Sequence, residues 1–174
     1  QPILIRAVGP TLGAAPFNLS GVLADPRLET FAGATRTGEN DNWGGTAALS
    51  NAFAAVGAFA YVGPTSLDAA VLGNLSAGDH SVRVSGTGNG TGQVIAELYD
   101  STPAAAMTAT TPRLVNVSVL KALGTGLTAG FVIDGAGAKK VLIRAVGPTI
   151  GAAPFNVAGA VANPRLQLFS GSTV

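Results

Sequence analysis

The stretch LIRAVGPTLGAAPFN at residues 4–18, called block 1 below, returns as LIRAVGPTIGAAPFN at residues 142–156, called block 2. Around the blocks, residues 1–36 align with residues 139–174, and about 22 of the 36 aligned positions are identical. Chance does not produce self-similarity at this level, so the sequence indicates a tandem array with a period near 138 residues. The alternative is a single domain that contains an internal duplication.

The boundary between repeat units is predicted from a change in composition. The stretch STPAAAMTATT, which begins after Asp100, is rich in Thr, Ala and Pro and has no periodicity. Such a stretch is typical of a linker, placed here at 103–112. Residues 1–102 then form the later part of one unit, and residues 113–174 form the early part of the next.

Hydrophobic periodicity predicts an all-β chain. Several segments alternate apolar and polar residues with period two, as strands with one buried face do: Val82–Ser85, Val94–Tyr99 and Val115–Val119. Others are apolar on both faces, as expected for strands covered on both sides: Ile3–Val8, Ala129–Ile133 and Val141–Val146. Glycine-rich turns are predicted at 86–92, 124–126 and 134–140. Short strands between such turns favour a β-sandwich or jelly roll of antiparallel sheets.

One segment breaks the strand pattern. The sequence TAALSNAFAAV, which begins at Thr46, places Leu49, Phe53 and Val56 at helical spacing. Thr46 is suited to cap the start of a helix and Gly57 to end it. We therefore expect one short helix near residues 46–56.

Composition limits the possible cellular location and binding partners of the protein. Charged residues make up 11% of the chain, against about 25% in an average protein, so the surface is expected to be neutral and polar. Ten Lys and Arg balance nine Asp and Glu, which gives no electrostatic footprint for nucleic acid. The longest apolar stretch, near 52–62, is too short to span a membrane. An extracellular or cell-surface protein is predicted.

The residues offer little for catalysis. His80 is the only histidine, the acidic residues are spread singly, and no serine lies in a GxSxG motif. The glycine-rich run at 86–92 lacks the lysine of a phosphate-binding loop and is interpreted as a hairpin turn. We therefore expect that the protein is not an enzyme and that it needs no cofactor.

A candidate calcium site lies in the densest polar cluster. Asn40, Asp41 and Asn42 carry the oxygen ligands that calcium prefers, and Asp68 could complete the shell. The alternative is a turn that is stabilised by its own side-chain hydrogen bonds. The adjacent Trp43 is a candidate platform for stacking a sugar, with burial in the core or in a contact as the alternative.

The repeated blocks are the candidate assembly contact. Arg6 and Arg144 lie within apolar strands, so each is expected to pair with a carboxylate or to bind carbonyl groups. Because the copies are so alike, a strand from one copy could occupy the place of the other in the same or another chain. The predicted contact comprises Ile3, Ile5, Arg6, Phe17, Ile143, Arg144 and Phe155.

Most of the chain resembles a known kind of repeat. The segment NDNWGG at 40–45 is followed by GAFA at 57–60 and by LDAAVLGNLSAGDHSVRVSGTGNGTGQVIAELYD at 67–100. These segments resemble the β-sandwich repeats of large secreted bacterial proteins and are similar to pre-peptidase C-terminal domains. The stretches PRLVNVSV, GTGLTAGFVIDG and KKVLIRAVGPT look like the other half of such a repeat. The resemblance implies export, a β-sandwich and a noncatalytic role, and the turn at 40–42 is the only candidate metal position that it touches.

Two functions follow as expectations. The first is an extracellular structural protein, a segment of a self-assembling surface filament or sheath joined through strand exchange or stacking of repeats. Its partners would be copies of itself. The second is a secreted, noncatalytic adhesion module that binds surface glycans or calcium.

Overall fold

The computed structural model describes residues 1–124, 126–170 and 173. Residue 125, in the predicted turn at 124–126, and residues 171, 172 and 174, at the end of the repeated region, lie outside the described residues. The chain divides into two compact units, Gln1–Asn116 and Val117–Val174.

The first unit is an all-β sandwich of two three-stranded antiparallel sheets. Sheet 1 has the order β4-β1-β6, and sheet 2 has the order β3-β2-β5. The six strands are β1 (Pro2–Val8), β2 (Pro26–Ala32), β3 (Thr35–Asn40), β4 (Ala69–Asn74), β5 (His80–Gly86) and β6 (Ile95–Asp100). The predicted all-β class and antiparallel sheets are confirmed.

Strand β1, which begins block 1, is buried on both faces because sheet 1 is the middle of three layers. Ile3 and Ile5 pack on the side of sheet 2, against Leu28 of β2. Leu4 and Val8 point the other way into an aromatic cluster. Alternate residues of a strand face opposite sides, so a strand covered on both sides must be apolar throughout. This explains the run ILIRAV, with Arg6 as its exception.

Block 1 contains a four-residue helix, α1 (Pro10–Gly13). The predicted helix is confirmed as α2 (Ala47–Ala55), which covers the second face of sheet 1. The Thr46 hydroxyl accepts a hydrogen bond from the Leu49 amide at 3.4 Å, as expected of an N-cap. At the other end, the Gly57 amide donates to Ala54 and the Ala58 amide donates to Phe53. These are the two bonds of a Schellman motif, in which the glycine adopts a positive φ, here +70°.

The glycine-rich run at 86–92 is not the predicted hairpin turn. It connects β5 in sheet 2 to β6 in sheet 1 through a 3-10 turn at Thr87–Asn89. The crossing needs close backbone approach, since a Cβ added to Gly86 would lie 2.0 Å from the Gly90 carbonyl oxygen. The glycines here allow the chain to cross from one sheet to the other, and local composition does not distinguish such a crossing from a hairpin turn.

Residues beyond β6 form little regular structure. A 3-10 turn at Ala104–Ala106 lies in the region predicted as a linker. In the second unit, the described residues form one short helix, α3 (Pro148–Gly151), and an isolated bridge between Ser170 and Thr173. The strands predicted at 115–119, 129–133 and 141–146 are therefore wrong for the described residues. Strand-like sequence forms a strand only when neighbouring strands supply hydrogen bonds to its backbone.

No helix among the described residues is both long enough and apolar enough to cross a membrane.

Candidate functional site: the seat of block 1

The candidate site is the surface of the first unit that receives block 1. We call it the seat, and define it as the residues outside the block that hold the block in place: Phe53, Phe59, Tyr61, Ser66, Asp68, Glu97 and strands β4 and β6. It has three parts, which are a strand slot, a buried arginine cage and a buried carboxylate.

The strand slot lies between β4 and β6. Strand β1 pairs with β4 from Pro2 opposite Asn74 to Ala7 opposite Ala69. It pairs with β6 from Ile3 opposite Asp100 to Val8 opposite Ile95. Both neighbours are antiparallel, so the backbone of block 1 is bonded on both sides by segments more than 60 residues further along the chain.

The arginine cage surrounds Arg6, whose side chain is fully buried. The Arg6 guanidinium lies 4.4 Å from the ring centroids of Phe53 and Tyr61 and 4.5 Å from that of Phe59. Its Nε lies 3.3 Å from Oε2 of Glu97, the residue opposite Arg6 on β6. Burying a charge is costly unless it is paired, and here a carboxylate and three aromatic faces compensate the cation.

Neighbouring aromatic residues hold the cage in shape. The Tyr61 hydroxyl donates to the Ala69 carbonyl at 2.8 Å, and burial raises the pKa of Tyr61. The Trp43 ring lies 5.6 Å from Phe53 and 5.3 Å from Tyr61 between centroids. Its indole Nε1 donates to the Gly63 carbonyl at 3.2 Å. Trp43 thus belongs to the core behind the cage.

The buried carboxylate is Asp68, which is 0% exposed. It accepts hydrogen bonds from the Gly9 amide at 2.7 Å, from the Thr11 amide and from the Thr11 hydroxyl, all in block 1. The Ser66 hydroxyl donates a further bond. Asp68 therefore anchors the turn that follows β1, much as a carboxylate binds backbone amides at a helix N-terminus.

Block 2 repeats the loop geometry of block 1 but not its strand. In both blocks the asparagine after the phenylalanine has a positive φ, 50° for Asn18 and 51° for Asn156. A Cβ added to Gly9 would lie 2.0 Å from the Leu23 carbonyl oxygen, and one added to Gly147 would lie 1.9 Å from that of Val161. The loop is therefore specified locally, by the block and the few residues that follow it.

The strand segment of block 2 has no such partners among the described residues. Leu142 is 85% exposed, whereas its counterpart Leu4 is fully buried. Ile143 is 39% exposed, against 2% for Ile5. The same residues thus form a central strand where a seat surrounds them and an exposed segment where none does.

The predicted assembly residues divide accordingly. Ile3, Ile5 and Arg6 lie inside the first unit and hold it together, so their side chains are not on its surface. Ile143, Arg144 and Phe155 are exposed in the second unit, and Phe17 is 38% exposed with its ring 4.9 Å from that of Phe59.

Two of the predicted calcium ligands, Asp68 and Asn40, make hydrogen bonds within the protein. Asp68 is committed to block 1, and the Asn40 side chain accepts from the Ala70 amide and donates to the Asn42 carbonyl. This bonding favours the alternative of a self-bonded turn. Within residues 1–124, 126–170 and 173, no three acidic or histidine side chains cluster as metal ligands would. The burial of Trp43 likewise favours the core over a sugar platform.

The sequence missed most of the seat. Phe53, Phe59 and Tyr61 lie about fifty residues from Arg6 in the sequence, and no local pattern predicts that they contact it. One signal was available, because an arginine in an apolar strand requires a carboxylate, and Glu97 is the only acidic residue inside the alternating run at 94–99. Comparison with known families, curated proteins and solved structures finds no match to this chain.

Proposed function

We propose that this chain is a segment of an extracellular structural repeat protein that assembles into a filament or sheath. In this proposal block 2 is a plug that occupies a seat like that of block 1, in a neighbouring repeat or another copy. The observation that carries it is the pair of blocks, one seated and one exposed. The low charge of the chain is consistent with close packing of copies.

The residues that the seat holds are the same in both blocks. Arg144 replaces Arg6, Gly147 replaces Gly9 and Thr149 replaces Thr11. The only changes from residue 3 to residue 18 are Ile3 to Val141 and Leu12 to Ile150, which remove at most one methylene. A seat could therefore accept block 2 with its two carboxylates, Glu97 and Asp68, paired as they are with block 1.

Strand exchange of this kind is open-ended. Each copy contributes one seat, which its own block 1 must leave, and one plug, which is block 2, so the contact is heterologous and does not close on itself unless the geometry forms a ring. Repetition of the contact gives a linear array. No catalytic group is needed, and we propose a noncatalytic role.

A disulfide test follows from the register of β1 and β6. Ala7 lies opposite Ala96, so Ala145 of a seated block 2 would lie opposite Ala96 of another copy. The chain has no native cysteine, which leaves the two engineered positions unambiguous. We expect a mixture of Ala96→Cys and Ala145→Cys chains, refolded together at high concentration, to form a disulfide-linked dimer under oxidation.

The doubly substituted chain, Ala96→Cys with Ala145→Cys, should give a ladder of covalent oligomers on a non-reducing gel. The matched control is Ala138→Cys, which is exposed and lies ahead of block 2. Equal cross-linking of Ala138→Cys and Ala145→Cys to Ala96→Cys would mean that block 2 has no specific seat. Negative-stain microscopy of the unsubstituted chain shows independently whether filaments form.

The second candidate function is a secreted adhesion module for glycans or calcium. A polar cleft of about 640 Å³ favours it, lined by Arg27, Glu39, Asn40, Asp41 and residues 85–89. Calorimetry with oligosaccharides should then show binding that Asp41→Ala and Asn89→Ala remove, while Asp134→Ala retains it. A melting temperature that is the same with calcium and with chelator would argue against the calcium form.

A further inference from the structure

A buried carboxylate oxygen without a partner lies directly before strand β2. Asp25 Oδ1 is buried and has no hydrogen-bond partner in the part of the chain that the structure describes. Glu97 Oε2 also lacks a hydrogen bond there, but it lies 3.3 Å from Arg6 Nε. Buried polar atoms are normally bonded, because an unpaired one costs free energy. An oxygen kept without a donor is available as a nucleophile.

The peptide bond after this carboxylate is the only Asp–Pro bond in the sequence, Asp25–Pro26. Its nitrogen belongs to a tertiary amide, which carries no hydrogen and leaves as a secondary amine. The Asp25 carboxylate and the carbonyl carbon of this bond belong to the same residue. Attack is therefore intramolecular, and no entropy is lost in bringing two reactants together.

A fixed backbone donor polarises the carbonyl of this bond. The Asp25 carbonyl oxygen accepts a hydrogen bond from the Thr87 amide at 2.9 Å. Thr87 follows β5, and Pro26 lies opposite Gly86 of that strand, so the sheet holds the donor in place. Such a donor stabilises the negative charge that forms on the oxygen when a nucleophile adds. Arg27 and Thr87 also line the polar cleft of about 640 Å³, which brings water to the bond.

We propose that the chain cleaves itself between Asp25 and Pro26. The Asp25 carboxylate oxygen bonds to the carbonyl carbon of its own residue, and the bond from that carbon to the Pro26 nitrogen breaks. The nitrogen leaves as an amine with a proton from solvent, and a cyclic anhydride of the succinic type remains. Water then opens the anhydride and restores the side-chain carboxyl together with a new α-carboxyl. The reaction occurs once in each chain, so it is self-processing rather than turnover of a substrate.

The cut separates block 1 from the unit that holds it. Block 1 lies before the bond, and every part of the seat, from Phe53 to Glu97, lies after it. Before cleavage, block 1 is joined covalently to β2. After cleavage, only noncovalent contacts connect β1 to the seat, so another strand can replace it. This role rests on the proposed strand exchange, in which block 1 must leave its seat, whereas the cleavage itself does not.

The second copy of the repeated region lacks the reactive pair. Asn163–Pro164 stands where the first copy has Asp25–Pro26. A neutral side-chain amide is a much weaker nucleophile than a carboxylate, so this bond should stay intact. Block 2 then remains attached to the residues that follow it. The difference has the direction that exchange requires, because the seat is released from its own strand while the plug stays on its chain.

Mass spectrometry of the full chain tests the cleavage. Incubation in buffer of about pH 5, which supplies the proton for the leaving amine, should yield residues 1–25 and residues 26–174. Asp25→Asn should abolish the cut. Asp25→Glu should slow it by about tenfold or more, since the added methylene makes closure of the ring less favourable. Unfolding midpoints that match the parent's would show that both variants are folded.

The unfolded chain is the control for the contribution of the structure. Asp–Pro bonds hydrolyse slowly in acid in any peptide, so the rate must be compared at one pH. The folded chain should cleave about tenfold faster or more than the same chain in urea, because only the fold holds the Thr87 amide against the carbonyl. Equal rates, an intact folded chain, or an equal cut at Asn163–Pro164 would overturn the proposal.

Cross-linking separates this proposal from the strand exchange. Cleaved Ala96→Cys and Ala145→Cys chains, mixed without refolding, should form the disulfide, whereas the same chains with Asp25→Asn should need joint refolding. If no chain cleaves but refolded chains cross-link, the exchange stands and self-cleavage is wrong. If chains cleave and cross-linking does not increase, the role in releasing block 1 is wrong. If neither cleaved nor refolded chains cross-link, the exchange is wrong, and the release role with it.

Discussion

Arg6 on β1 and Glu97 on β6 form a cross-strand ion pair in the layer between sheet 1 and helix α2, with Nε 3.3 Å from Oε2. The arginine is fully buried and the glutamate side chain is 16% exposed. The pair connects block 1 to a strand about ninety residues later. It makes one residue of the block dependent on a complete seat, and this dependence can be measured.

Removal of the seated arginine should destabilise the first unit. Arg6→Ala leaves Glu97 without its cation and leaves a cavity among three rings, so we expect a loss of about 3–5 kcal/mol in the free energy of unfolding. Urea denaturation followed by Trp43 fluorescence measures it, because the single tryptophan packs against Phe53. The repeat itself provides the control, since Arg144→Ala alters an exposed side chain and should leave the midpoint unchanged.

Loss of the Asp68 carboxylate should destabilise the first unit nearly as much as loss of Arg6. Asp68→Asn keeps one acceptor oxygen and turns an NH₂ group toward the donors from Gly9, Thr11 and Ser66, so it should cost about 3 kcal/mol. Asp134→Asn, at an exposed turn, serves as the control. If the role of Asp68 is to anchor block 1, the loss is the same in calcium and in chelator. A loss seen only in calcium would instead assign Asp68 to a metal shell.

Hydrogen exchange should separate the two blocks despite their shared sequence. The amides of Leu4–Val8 are held between β4 and β6 and should exchange slowly, near the rate set by global unfolding. Those of Leu142–Val146 should exchange within seconds to minutes in dilute solution. The comparison is internal, because the side chains at these positions are identical. Equal protection in a dilute monomer would mean that block 2 already has a partner.

Joint refolding at high concentration extends this measurement. If block 2 enters a seat, protection of Leu142–Val146 should rise as oligomers form, and Arg144→Ala should reduce the rise. Protection that stays low in purified oligomers would show that the oligomers form through another surface.

Acid should destabilise the first unit, because Glu29 and Glu39 on sheet 2 lose their ion pairs when they are protonated. The hydrogen bond from Arg27 lowers the pKa of Glu39. Burial acts to raise the pKa of Glu29, but the hydrogen bond and charge of Arg83, with Arg27 and Arg36, lower it overall. A lowered folded-state pKa gives stability that is present above the ordinary value of 4.5 and is lost as the pH falls through the folded value.

The melting temperature should therefore fall as the pH drops from about 5 to 3. Glu29→Gln should flatten this dependence, and the second copy of the repeated region, residues 139–174, carries the same change naturally, as Gln167. A parent chain and Glu29→Gln variant with the same acid profile would show that Glu29 contributes nothing to it.

Local patterns predicted the elements whose structure depends on near neighbours. Helix α2 follows from the spacing of Leu49 and Phe53, with Thr46 and Gly57 at its ends, and all four residues lie within one segment. Strands β5 and β6 follow from alternation, because each has one face toward the core and one away from it. The predicted hairpin at 86–92 is wrong because the residues of the connection do not determine which sheet the next strand joins.

The seat could not be predicted for a related reason. The sequence singles out Asp68 as a carboxylate of interest, but its partners include backbone amides of block 1, which lie 57 and 59 residues away in the sequence. Amides carry no sequence signature, so the sequence suggests Asp68 only as a candidate calcium ligand. The three cage aromatics converge on Arg6 only through the packing of α2 and its following loop on sheet 1.

The repeated block shows which features the local sequence determines and which depend on the tertiary structure. By itself the sequence determined that residues 4–18 and 142–156 share one loop, because that loop is closed by bonds between near neighbours and by glycines at crowded positions. Only the tertiary structure decided that one copy is a buried central strand and the other an exposed segment. A strand requires hydrogen-bonding partners on its flanks, and a buried arginine requires a counter-charge, and both are supplied by distant parts of the chain.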